Sequence, residues 1–333
     1  MVGVKKICIK NNKFTNTNGT LPEYGIDIEP WQSGIYNNDI IIDNNIFENN
    51  NGGGIDIFPW TKNLQIINNT FVNNGISSVM DLNNGEESYP KNVIINKNNF
   101  QSSSIYFRGT RYAEYTISEN SFENSRFSID GDLNFKALTG NEKGFIRFIN
   151  NTVIGCKTSY FMLFYGACNT LINNNVFNSI KGEIIDLTQC KTGTFSNNII
   201  NRYCVDTSLP ASTVPFSIGT AVENYNFFNN TIVGNENDVK VDYLIKIHRN
   251  ASFIIIKDNV ISKDNYSNLL LNESNSLLFD NITNTNYKTT TNLPSPSAQY
   301  AGIIYNRIDN NNNLIPTICT YNSSSGAYEW KNL

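Results

Sequence analysis

Histidine is nearly absent from this chain: 333 residues contain one, His248. A multi-histidine zinc site is therefore excluded, and a Ser-His-Asp triad would have a single position to form around. Charge is sparse as well. Asp, Glu, Lys and Arg make up 16% of the chain, and 25 basic against 29 acidic residues leave a net charge of −4. A face that neutralises duplex phosphates needs a basic surplus, so no nucleic-acid partner is expected. Apolar runs are short, as in Phe253-Ile254-Ile255-Ile256, so no membrane span is expected either. The opening Met1-Val2-Gly3-Val4-Lys5-Lys6 lacks the apolar stretch of a secretion signal. The six cysteines, Cys8, Cys156, Cys168, Cys190, Cys204 and Cys319, show no C-x-x-C spacing. Buried free thiols are the expectation, with a disulfide within the group Cys156, Cys168, Cys190 and Cys204 as the alternative.

What is abundant is asparagine, at 59 residues. With 17 Tyr, 20 Phe and many Ile, the chain has material for a core and is not expected to be disordered. The asparagines follow a phrase: a β-branched run, then Asn, any residue, and Phe, Ile or Val. It begins as Asn12-Lys13-Phe14, Asn45-Ile46-Phe47, Asn69-Thr70-Phe71 and Asn98-Asn99-Phe100. It continues through Asn120, Asn151, Asn175, Asn198, Asn230 and Asn259 to a weaker Asn281-Ile282-Thr283, at intervals of 22 to 33 residues. A fixed minimum with variable additions describes a coil carrying loops at some corners. Runs such as Ile40-Ile41-Ile42 and Val93-Ile94-Ile95 are too short for helices. Leucine-rich horseshoes and propeller blades would need other periods. The expected fold is all-β: a right-handed parallel β-helix of about eleven coils over residues 1–287. Asn suits its corners because it tolerates the left-handed conformation and can hydrogen-bond along the stack. A Thr/Pro/Ser linker at 288–298 and a C-terminal β-meander at 299–333, for packing or oligomerisation, complete the expected organisation.

Two coils share a second phrase. Gly25-Ile26-Asp27-Ile28-Glu29-Pro30-Trp31 and Gly54-Ile55-Asp56-Ile57-Phe58-Pro59-Trp60 match at six of seven positions, 29 residues apart. Met80-Asp81-Leu82 is read as the continuation in the next coil. Alternation places Ile26 and Ile28 inside and Asp27 and Glu29 outside, so Asp27, Asp56 and Asp81 are expected to stack on one face. Like charges opposite one another across strands are destabilising, and three explanations stand. Carboxylates about 5 Å apart separate their pKa values into an acid and a base, as glycosidases require. Clustered carboxylates can also hold calcium. Or they are hydrated surface aspartates serving solubility. Further along, Tyr106 and Arg108, followed by Arg111 and Tyr112, bring aromatics and cations suited to an extended, partly anionic glycan. Asp186 and His248 are expected to be surface residues.

The Asn-x-Phe coils over about residues 1–285 resemble the pectate-lyase-like right-handed β-helix superfamily. The Gly25–Pro30 phrase is similar to bacterial and phage members, including tail spikes and tail appendages that bind or cleave surface polysaccharide. That resemblance implies a polysaccharide partner, an extracellular or virion-associated setting and a homotrimer. The Gly-His-Gly and Arg-Ile-Lys elements of polygalacturonases do not occur. Pectate lyases pair calcium-binding aspartates with a catalytic arginine, for which Arg108 is the nearest counterpart. The expectation is hydrolysis of a glycan by a carboxylate pair drawn from Asp27, Glu29 and Asp56, with no metal or other cofactor. Trp31, Trp60, Asp81, Tyr106 and Arg108 would contact sugar. The alternatives are a non-catalytic adhesin or virion appendage, and a calcium-dependent lyase using Arg108 as base. The repeat is already under way at Ile7–Asn12, so a longer polypeptide with further coils is also expected.

Overall fold

A computed structural model describes residues 5–18, 23–30, 34–78, 86–130, 143–167, 169–234, 238–262, 266–274, 277–283, 295–296, 304–308, 314–322 and 325–332. Its strands stack as a right-handed parallel β-helix. Three parallel ladders run along it. The first starts with Lys5–Lys10, Asn37–Asp43 and Thr61–Ile67 and ends at Leu277–Thr283. The second is built from short strands such as Lys13–Thr15, Ile46–Glu48 and Thr70–Val72. The third has ten strands, from Tyr24–Ile28 to Tyr266–Asn272. The right-handed coil follows from the right-handed twist of L-residue strands, which sets the hand of parallel crossovers. Among the described residues, no helix is long and apolar enough to cross a membrane. Near the C-terminus, Ile304–Ile308, Leu314–Asn322 and Ala327–Asn332 pair antiparallel. Most of 288–298 lies outside the described residues.

The corner between the first two ladders shows what asparagine does. The backbone N–H of Asn12 donates to Asn45 Oδ1 at 2.9 Å, and the same link repeats through Asn69, Asn98, Asn120, Asn151, Asn175, Asn198 and Asn230 to Asn259. At Asn98, for example, Nδ2 also donates to Asn120 Oδ1 at 3.0 Å and to Ile66 O at 2.8 Å. A buried amide is therefore satisfied by the coil on either side, which removes the cost of burying it. The left-handed residue is a different one. Asn11, Asn44, Asn68, Lys97, Glu119, Asn150, Asn174, Asn197, Asn229 and Asp258, each just before a ladder asparagine, have φ of 54° to 62°. The sequence reading gave both tasks to one residue; the fold divides them between neighbours, because the corner residue points outward and only the next one faces the stack.

The residue two places beyond each ladder asparagine points inward, as expected. Phe14, Phe47, Phe71, Phe100 and Phe122 stack with centroids 4.8–5.1 Å apart and rings within 8° of parallel. Val153 takes the next place in register, and Phe161 from the third ladder packs edge-on against Phe122 and Phe177 around it. Each aromatic contact adds about 0.5–1.5 kcal/mol beyond burial of its area. Among the described residues, Cys156, Cys190 and Cys204 are buried free thiols and Cys8 is an exposed one. Those three therefore form no disulfide with one another, whereas Cys168 lies outside the described residues. Burial pushes the Cys204 thiol up to about 12, aided by the nearby charges of Glu183 and Asp238, so it stays protonated and unreactive.

Candidate functional site

The third ladder carries the unusual chemistry. Its register sets Asp27 opposite Asp56, Asp56 opposite Ser77, Ser77 opposite Tyr106, and Tyr106 opposite Ser128. The column then runs through Leu163 and Asp186 to Ser217 and Lys246. On the inward side, Ile26, Ile28, Ile55 and Ile57 are buried, which turns Asp27 and Asp56 to the outer side of the sheet. The glycine that opens each phrase is required by packing. A Cβ on Gly54 would lie 2.8 Å from Phe71 Cδ1 and 2.9 Å from the Gly75 carbonyl, so any side chain would push the strand off the aromatic stack.

The third residue of the acidic column is Ser77, and this corrects the register expected from sequence. Gly75-Ile76-Ser77 repeats Gly54-Ile55-Asp56 after 21 residues, whereas Asp81 comes four residues later and lies outside the described residues. The Gly-Ile pair was the available signal, since it marks where each strand enters beneath the phenylalanines. Ser77 Oγ donates to Asp56 Oδ1 at 2.6 Å and lies 3.0 Å from the Tyr24 hydroxyl. Serine has one proton and gives it to the carboxylate, so Tyr24 donates in the second bond. Tyr24 reaches two coils forward because its ring lies over Gly53, where a Cβ would come within 2.8 Å of it.

The two aspartates are not equivalent. Asp27 is half-buried; desolvation, then the charges of Asp56 and Glu29, push its carboxyl up to about 6. Asp56 is 4% exposed. Burial also raises it, but the Ser77 bond, the backbone N–H of Ile57 and the charge of Arg108 all work in the other direction. Two desolvated carboxyls in register cannot both ionise cheaply. The bonds gathered on Asp56 offset part of that rise, whereas Asp27 has the charges of Asp56 and Glu29 pushing it further up. Glu29 follows Asp27 on the same edge and is exposed.

Downstream, Tyr106 donates to Asp130 Oδ2 at 2.8 Å, and the Arg108 guanidinium carbon stands 5.6 Å from the Tyr106 ring centroid. Arg108 is opposite Asp130 in register. A hydrogen bond with Tyr106 raises the proton affinity of Arg108 further. Trp31 lies outside the described residues. Trp60 is 8% exposed, has φ of 64° and meets the Tyr36 ring edge-on at 5.2 Å. The left-handed turn after Pro59 folds this ring into the wall, so it offers no open face to a sugar.

A second acidic pair lies further along. In the strand Glu183–Thr188, Ile184 and Ile185 are both buried, and both N–H groups donate to the Pro215 carbonyl. This bulge interrupts the alternation and brings Glu183 and Asp186 to the same outer side. Burial, then the charge of Asp186, pushes Glu183 up to about 7. Burial likewise raises Asp186, against a hydrogen bond from Ser217. Asp186 is thus half-buried and has an acidic neighbour, unlike the isolated surface residue that sequence reading expected. His248 is half-buried beside Thr220, with Nδ1 3.2 Å from the hydroxyl. Among the described residues, no group of three or more His, Cys, Asp or Glu side chains is placed to hold a metal ion.

No family model matches this sequence, and no curated protein matches it. Solved structures do. Tailspike protein 3 of bacteriophage CBA120 superposes with a TM-score of 0.44 at 13% identity, over 98% of this chain and 58% of that one. PfbA, a surface adhesin of Streptococcus pneumoniae, superposes with a TM-score of 0.38 at 15% identity, over 88% of this chain and 68% of that one. The chain thus spans just over half the length of the tailspike. The parallel β-helix itself rests on the strand pairings described above.

Proposed function

We propose that this protein hydrolyses a polysaccharide on the outer face of its third ladder, in a virion or cell-surface setting. Asp27 acts as the proton donor and Asp56 as the charged partner. The observation that carries the reading is the asymmetry of the pair. Two aspartates face each other on adjacent strands, one stabilised as the carboxylate by Ser77 and the other holding its proton up to about pH 6. Glycoside hydrolysis needs such a division: an acid for the leaving oxygen and a carboxylate for the developing positive charge. Adjacent parallel strands are about 4.8 Å apart, close to the carboxyl separation of retaining enzymes, about 5–5.5 Å. Tyr24, Tyr106 and Arg108 around the pair supply hydroxyls and a cation suited to sugar contacts.

The test is product analysis on a panel of bacterial surface polysaccharides. Wild type should release reducing ends without unsaturated, ultraviolet-absorbing products. Asp27→Asn and Asp56→Asn should each lower the rate at least a hundredfold, the scale of losing a positioned acid or base. Shortening that persists in both variants would sink the carboxylate mechanism. Retention of a glycan without shortening would identify a binding protein.

A further inference from the structure

Arg126 opens the strand Arg126–Asp130 and stands opposite Ser104 on the third ladder. It is half-buried. Its Nη1 donates to the Tyr160 hydroxyl at 3.0 Å and its Nη2 to Ser128 Oγ at 3.2 Å, while the guanidinium carbon sits 5.3 Å from the Tyr160 ring centroid. Its Nε–H is shut off from solvent and has no acceptor in the structure. Among the described residues no carboxylate lies within ion-pair distance of it. By contrast, Arg202 meets Asp238 at 2.7 Å, and Arg108 stands opposite Asp130 in register. Hydroxyls orient a guanidinium but do not cancel its charge. Holding a partly desolvated cation without a counter-ion is costly, and the two hydroxyls and the Tyr160 ring offset only part of that cost.

We propose that Arg126, held in place by Tyr160 and Ser128, is an oxyanion-binding subsite that selects a glycan carrying an acidic substituent. The inference rests on the glycan reading above. Three strand steps separate Arg126 from Asp56 on the ladder, about 14 Å along the axis at about 4.8 Å per step. The acidic group therefore belongs to a sugar further along the chain than the one at the aspartates, so the ligand is an oligosaccharide. Carboxyl groups stand on both sides, Asp27 and Asp56 toward one end and Glu183 and Asp186 toward the other. They repel an anion, and of the two arginines between them on this ladder Arg108 has Asp130 opposite it in register, which leaves Arg126 as the docking point that fixes the register of the glycan. The Nη1 and Nη2 hydrogens not given to Tyr160 and Ser128 bind the oxyanion, while the buried Nε–H does not reach it.

The full chain is tested by affinity electrophoresis in gels containing hyaluronate, alginate or dextran sulfate. Each is run beside its neutral counterpart: carboxyl-reduced hyaluronate, carboxyl-reduced alginate or dextran. Wild type should bind an acidic polymer at least roughly tenfold more tightly than its counterpart, the scale of a charged hydrogen bond. Carboxylate and sulfate polymers together distinguish which oxyanion is preferred. Arg126→Gln should abolish the preference without changing neutral-polymer binding, and the melting temperature should hold or rise. Arg126→Lys should restore part of it, because it keeps the charge and loses the fork. Equal binding of acidic and neutral forms by wild type, or a preference that survives Arg126→Gln, overturns the subsite and leaves the glycan reading standing. Retention of no polymer by wild type overturns the glycan reading and the subsite with it.

Discussion

Ser77→Ala is the most direct probe of the paired aspartates, because it removes the hydroxyl that bonds Asp56 and Tyr24 and leaves both carboxyls in place. In the wild type, Ser77 Oγ donates to Asp56 Oδ1 at 2.6 Å, and Asp56 is 4% exposed. A hydrogen bond to an ionised group contributes about 1.5–3 kcal/mol, and little water can replace the lost donor at a site this buried. Removing it should shift the protonation equilibrium of Asp56 roughly ten- to hundredfold toward the acid. The consequence extends to Asp27. Its carboxyl is held at about 6 first by desolvation and next by the charge of Asp56; once Asp56 gives up that charge more readily, Asp27 is repelled less and its titration moves down. The two apparent values should therefore converge from both sides, as expected for coupled sites.

The assay is carbon-detected NMR titration of protein labelled at the aspartate carboxyls, with Asp27→Asn and Asp56→Asn assigning the two resonances. It needs no substrate. In the wild type, Asp56 should titrate first on raising the pH and Asp27 second, near 6. In Ser77→Ala the gap should close, and any pH–rate profile should narrow on both limbs with a lower maximum. An unchanged gap, or an Asp56 that titrates above Asp27 in the wild type, would refute the assignment of donor and base.

Two further outcomes bear on the fold and its electrostatics. Asn120 accepts two bonds from Asn98 and donates Nδ2 to Ile95 O and Asn151 Oδ1, so Asn120→Ala should cost about 2–5 kcal/mol in urea unfolding. By contrast Asn124→Gly, at an exposed left-handed corner with φ of 47°, should be neutral or slightly stabilising; equal losses at the two sites would refute the division of roles. Because the folded carboxyl of Asp27 titrates near 6, above its ordinary 3.8, its contribution is present below about pH 4 and lost as pH rises through 6. Asp27→Asn should accordingly stabilise the protein at pH 7 by about 1 kcal/mol, discounted for partial exposure. The gain should fade toward pH 4 in calorimetry, and a gain independent of pH would argue against the raised titration.

The fold was legible because one phrase recurs at every coil, and a stacked column amplifies any residue type that suits it. Asp27 and Asp56 were legible for the same reason, being in register within a repeated heptad. Legibility failed where a coil departs from the pattern. Asp81 was aligned by its apolar-Asp-apolar surroundings, but the packing constraint sits at Gly75-Ile76, four residues out of step with that alignment. Glu183 was missed because a bulge at Ile184-Ile185 breaks the two-residue period that assigns side chains to faces. Trp60 follows the same phrase as Trp31, yet a left-handed backbone turns it inward. Arg126 has meaning only through what surrounds it, two hydroxyls and no carboxylate, and no one-dimensional pattern records that.

The division of labour between corner and face explains how the third ladder tolerates its acids. Facing like charges across adjacent strands destabilises a sheet by up to about 1 kcal/mol, and burial of Asp56 adds to it. The coils that bear this cost, around Asp27 and Asp56, carry the asparagine ladder and phenylalanines stacked within 8° of parallel. Each coil there holds an amide rung bonded on both sides and an aromatic contact of about 0.5–1.5 kcal/mol. Stability in such a rod is close to a sum over neighbouring coils, so a local penalty is offset by the rung and ring in the same coil. The outer face can then carry an electrostatically unfavourable arrangement without compensating ion pairs. An aspartate pair left without a neutralising arginine at contact distance keeps its separated titrations, and that separation is the property the proposed chemistry uses.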